Sequence, residues 1–166
     1  RSNLVVVKVG SNGKVRLFVA EAATHLIVDV FGYFAASTNG EGRTTTVDPV
    51  RIFDTRNGIG TTPVRMNASE TRTVQVAGAL GIPNNATAVY LNVTSVGASA
   101  WGWLAVWPTG LERPNSSNVN FGGGSIVPNM AIVKLGTGGT LQVYNDAGVS
   151  GTTSSDVLID VLGYVT

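Results

Sequence analysis

Cysteine is absent from the 166-residue chain, which excludes disulfides, thiolate zinc sites, iron–sulfur clusters and cysteine nucleophiles. There is a single histidine, His25, so a multi-histidine metal centre is excluded as well. A Ser–His–Asp set would have to use His25, and no Gly-x-Ser-x-Gly sequence exists to present the serine. Charge is scarce: Asp, Glu, Lys and Arg make up 13% of the chain, against ~25% in an ordinary domain. The 11 basic residues nearly cancel the 10 acidic ones, leaving no electrostatic ground for a nucleic-acid or anionic-membrane partner. No apolar run approaches the ~20 residues of a membrane helix. The first residues lack the basic, apolar and small-residue order of a signal peptide, so any secretion signal is expected outside this stretch. Gly122–Gly124 has no following Lys-Ser/Thr and opens no helical pattern, so it is not a phosphate loop.

What the chain does have is glycine, 21 residues of it, and short apolar, β-branched segments separated by turn signals. Candidate strands are Leu4–Val9, Lys14–Val19, His25–Phe34, Val50–Asp54, Thr71–Ala77, Thr87–Val96, Gly102–Trp107, Ser117–Phe121, Met130–Leu135, Thr140–Tyr144 and Asp156–Val165. No segment has a convincing helical period. The expected fold is all-β, an antiparallel β-sandwich or jelly roll.

The chain also repeats itself. Asn3–Phe18 lies over Asn129–Tyr144 without a gap, 126 residues later, and His25–Tyr33 lies over Asp156–Tyr164, 131 residues later. The loop Asn145–Ser155 therefore carries five extra residues in the second copy. Residues 1–36 read as the C-terminal half of a preceding repeat, 37–43 as a small, polar linker, and 44–166 as a complete repeat. Three strands this apolar need a cover. Residues 1–34 are therefore expected as ordered β-structure packed on residues 44–166 of the same or a neighbouring copy.

Several motifs then follow in order: Arg51–Arg56 (RIFDTR), Val76–Gly78 with Gly81–Pro83, Val89–Thr94 (VYLNVT), Gly102–Pro108 (GWLAVWP), Arg113–Asn118 (RPNSSN) with Asn120 and Phe121, and Asp160–Tyr164 (DVLGY). This order resembles a tandem module of large secreted and cell-surface proteins of actinobacteria and related bacteria. The resemblance covers residues 47–165, and residues 1–34 for the module's second half. It implies an extracellular location and repetition, and it carries no catalytic residues. The expected role is a non-catalytic structural or adhesive module of a stalk, adhesin or filament, joined head to tail to neighbouring repeats or to copies of itself. The alternative is a carbohydrate-binding module for cell-wall or environmental polysaccharide.

That alternative rests on Trp101, Trp103 and Trp107, which share one strand parity, whereas Leu104 and Val106 share the other. If the aliphatic pair faces the core, the indoles face outward, as a sugar platform or as packing beneath a loop or a neighbour. Asp29 and Asp160 occupy equivalent places inside apolar strands and need partners, for which Arg51 and Arg56 are the candidates. They read as structural ion pairs rather than a catalytic dyad. Asp54 can cap its turn; a calcium site using it and the Asn145–Asp156 loop would need more oxygens. No cofactor is expected beyond that calcium possibility. Lys8 and Lys134 coincide at strand ends, where snorkelling explains them more simply than an isopeptide cross-link.

Overall fold

The computed structural model describes residues 3–19, 23–35, 42–148 and 151–166. Residues 44–165 form eight strands: β1 Thr44–Asp54, β2 Glu70–Gln75, β3 Ala88–Val96, β4 Gly102–Pro108, β5 Val119–Phe121, β6 Ile126–Lys134, β7 Thr140–Asn145 and β8 Asp156–Val165. They make two four-stranded antiparallel sheets, in the orders β1-β8-β3-β6 and β2-β7-β4-β5. The expected β-sandwich is what forms.

Alternation explains the layers. In β3, Val89, Leu91 and Val93 point inward; in β8, Val157, Ile159 and Val161 do so; in β7, Leu141 and Val143. These side chains from both sheets meet in one core with Phe53, Met66, Leu104, Val106, Val119 and Phe121. At about 1.5–3 kcal/mol for each fully buried large aliphatic, this core is the main source of stability. The prolines in strands sit where a missing amide is tolerated: Pro49 lies at a register break in the edge strand β1, Pro128 lies in the edge strand β6, and Pro108 is the last residue of β4, beyond its pairing with β5.

The ends of the sandwich are side by side. Thr44 pairs with Val165, the Arg43 amide donates to the Thr166 carbonyl at 3.0 Å, and Thr166 returns the bond at 3.1 Å. The chain thus enters and leaves the module at the same place.

Residues before Thr44 differ from the expectation. None of the described residues in 3–35 is in a strand. Their apolar side chains face outward: Phe18 and Ile27 are 89% exposed, Val30 and Tyr33 87%. A hydrogen bond from the Leu4 amide to Asn129 Oδ1, 3.2 Å, touches the sandwich, but among the described residues the expected substantial hydrophobic contact with 44–166 of the same chain is not made. The reason is occupancy. The positions between β1 and β3, and between β2 and β4, that suit this sequence are already filled by β8 and β7. Among the described residues, the tight turn is what the two copies share. Ser11–Gly13 has Asn12 and Gly13 at φ 65° and 70°, and Thr137–Gly139 has Gly138 and Gly139 at 70° and 69°. Gly10 N bonds Lys14 O at 3.0 Å, as Gly136 N bonds Thr140 O at 2.8 Å. Two successive left-handed residues make a hairpin turn whose geometry is locally encoded.

Candidate functional site

Two side-chain clusters stand apart from the core. The first lies on the outer face of the second sheet. Leu104 and Val106 point into the core, so Trp103, Ala105 and Trp107 point outward. Tyr144 on β7 is directly opposite Ala105 and joins them. Trp103 and Tyr144 tilt against each other with ring centroids 5.3 Å apart.

The loop after β4 folds over this face. Trp107 is 7% exposed, and its indole N–H donates to the Leu111 carbonyl at 3.0 Å. The Arg113 guanidinium sits 4.2 Å from the Tyr144 ring centre and 5.2 Å from that of Trp103. Such a cation over two ring faces is worth about 0.5–2 kcal/mol. Beside Trp103 is a groove of about 220 Å³ lined by Asn115, Ser116, Ser117 and Asn120. Trp101 is not part of this arrangement. The strand begins at Gly102, so strand alternation does not carry to Trp101, which is 54% exposed. Of the three tryptophans, the structure thus brings Trp103 and Trp107 together. Their cover, Arg113 and Tyr144, is not legible from spacing, because it comes from a loop fold and a cross-strand pairing.

The second cluster ties β1 to β8. Arg51 is the register partner of Asp160, and its guanidinium grips that carboxylate with two bonds, 2.8 and 3.1 Å. Its remaining terminal nitrogen donates to Asp54 at 3.1 Å. Asp54 is fully buried and also accepts from the Arg56 amide, 2.9 Å, and the Arg56 side chain, 3.0 and 2.8 Å. The side-chain bond from Arg56 is the largest reason that the Asp54 carboxyl is pulled down to about 2; burial opposes it. Arg51 is raised, first by its bond to Asp160.

Next to this, Thr55 Oγ1 donates to Asp156 at 2.8 Å and accepts from the Val157 amide at 3.0 Å. Arg65 pairs with Asp156 at 3.1 Å and bonds the Gly97 carbonyl. Asp160, Arg51 and Arg56 are therefore joined in structural ion pairs, with Asp54 as the hub. Asp29 is exposed, and among the described residues it has no ion pair; of the two equivalent aspartates, it is Asp160 that Arg51 grips. His25 and Lys8 are exposed, and so is Lys134, at the end of β6. Asp146, in the loop considered for calcium, accepts the Gly148 amide at 2.8 Å. Among the described residues, no group of three or more His, Cys, Asp or Glu converges as a metal cage would require.

What these clusters can do chemically is hold strands together. One locks the first sheet's β1–β8 pair; the other seals the outer face of the second sheet. A scan against protein-family models found no match, and a search of curated proteins found none either.

Proposed function

We propose that this chain is a non-catalytic, extracellular structural module of a tandem array, whose work is to join and present neighbouring modules. The observation that carries the reading is the second copy of the β6–β8 sequence, residues 3–33, which reproduces the two backbone hydrogen bonds within the β6–β7 turn. The side-by-side ends of the sandwich support it. A module entered and left at one place can be inserted repeatedly into a chain without disturbing its neighbours' cores. The residues closest to a chemical constellation, Asp54, Arg51, Arg56 and Asp160, spend their valences on one another. The motif order described above supports a secreted or surface setting.

The competing carbohydrate reading draws on Trp103 and its polar groove. Arg113 on the Trp103 face and the cover over Trp107 favour the structural role. Two measurements test the proposal. Antibodies against the purified chain are expected to label intact producing cells; labelling only after permeabilisation contradicts the extracellular role. Tryptophan emission is expected to stay unchanged when soluble or insoluble polysaccharides are added. A saturable shift that Trp103→Ala abolishes would establish the carbohydrate module instead.

A further inference from the structure

We propose that residues 3–34 are a spare strand donor, fitted to the three positions that β6, β7 and β8 occupy, and that the partner they take is a 44–121 half of this same module. The proposal rests on the modular reading for its biological sense.

The fit is residue by residue. Val5 and Val7 stand where Ala131 and Val133 are buried, Val15 and Leu17 where Leu141 and Val143 are, and Val28 and Val30 where Ile159 and Val161 are. Asp29 stands at Asp160, the carboxylate that Arg51 grips. Gly32 stands at Gly163, and this position is the most telling. A Cβ at Gly163 would lie 2.7 Å from the Thr45 carbonyl oxygen, so a side chain there would push β8 off β1. Around Gly32 itself nothing lies within 4 Å. The exposed segment thus meets a steric demand that its own surroundings do not make, but that the β8 position does.

The connections also suit. Between Val19 and His25 the chain spans up to ~20 Å, enough to cross the ~10 Å between packed sheets. At the other end, a strand in the β8 position finishes beside the start of β1, where Arg43 and Thr166 already exchange hydrogen bonds. The donor would thus end where its own chain's β1 begins, so it can enter its own chain's acceptor.

The spare copy is the weaker occupant of this acceptor, which explains why β6–β8 hold the positions. It has Val19 in place of Asn145, whose side-chain amide bonds the carbonyls of Asn67 and Thr153 at 3.0 and 2.9 Å. It has His25 in place of Asp156, the partner of Thr55 and Arg65. Evicting β8 should therefore let the spare strands in.

The absence of cysteine makes disulfide trapping clean. Thr45 pairs with Tyr164, so Thr45→Cys is combined with either Tyr164→Cys or Tyr33→Cys in the full chain. Without further change, the Tyr164 pair is expected to close and the Tyr33 pair to stay open in most chains. Val161→Asp places a charge in the core and expels β8. The chain is then expected to remain folded by near-ultraviolet dichroism, with the Tyr33 pair now closing in most molecules. Adding Val30→Asp, harmless by itself, is expected to abolish both the fold and the cross-link. Two results would overturn the proposal. One is a Val161→Asp chain that unfolds with no Tyr33–Thr45 cross-link. The other is a folded one in which the Tyr164 pair still closes and Val30→Asp changes nothing. Neither bears on where the protein resides or whether it binds glycans, so this proposal and the functional reading fail separately.

Discussion

Residues 129–164 and residues 3–33 carry nearly the same pattern of apolar, glycine and aspartate positions, yet one is the centre of a sandwich and the other lies exposed. In the first, Ile159 and Val161 are sealed between β1 and β3. In the second, Val28 and Val30 face outward. Local sequence is therefore not what makes these strands. β-propensity expresses fit to a half-buried surface, and only the C-terminal copy has that surface supplied. The turn at Ser11–Gly13 is the control: its geometry is set by Asn12 and Gly13 alone, and it forms in both settings.

The comparison can be pressed hardest with paired substitutions. Leu141→Ala removes a fully buried side chain and should cost about 2–5 kcal/mol. Val15→Ala, at the equivalent position but 47% exposed, should change stability by less than about 0.5 kcal/mol. Thermal or denaturant unfolding reads both.

Acid tests the network on which β8 depends. Asp54 titrates near 2 in the folded chain against an ordinary 3.8, so its carboxylate adds stability that is fully present above about pH 4. That contribution, roughly 2 kcal/mol, is lost as pH falls through 2. In Asp54→Asn the acid limb of unfolding free energy against pH should be flatter by about that amount. A limb of unchanged slope would mean that other carboxylates carry the acid sensitivity.

The smallest contrast concerns the matched aspartates. Asp160→Ala frees one face of the Arg51 guanidinium, which keeps Asp54, and should cost about 1 kcal/mol. Asp29→Ala should be silent in the same unfolding assay.

Much of this was legible in the sequence. Each of the eight strands of the sandwich overlaps a segment that alternation and turn residues mark out, with ends that agree or shift by up to six residues. The largest shift is at β1, whose start, Thr44–Val47, is polar and bulged and is defined by pairing with β8 rather than by apolar alternation. Strand parity separates Leu104 and Val106 from Trp103 and Trp107, and packing against the first sheet then decides that the aliphatic pair is the inward set. The Asp160–Arg51 pairing is also readable, because a carboxylate inside an apolar strand demands a cation.

Other features depend on the three-dimensional arrangement. Arg113 reaches Trp103 and Tyr144 from a loop, and Trp101 escapes the strand because β4 begins one residue later. Arg65 meets Asp156 across 91 positions of chain with no periodic signal. The state of residues 3–35 is decided by which strands already fill the acceptor, a competition that apolar patterning alone does not rank.

Hydrogen exchange on the dilute, full chain addresses the central claim most directly: one complete sandwich plus an unhoused copy of three of its strands. Amides of Val157–Tyr164 are expected to exchange only through global opening, and those of Leu26–Tyr33 at the rates of an unstructured peptide. Equal, strong protection of both segments would contradict the account, because it would require the N-terminal copy to be housed in a sheet of its own.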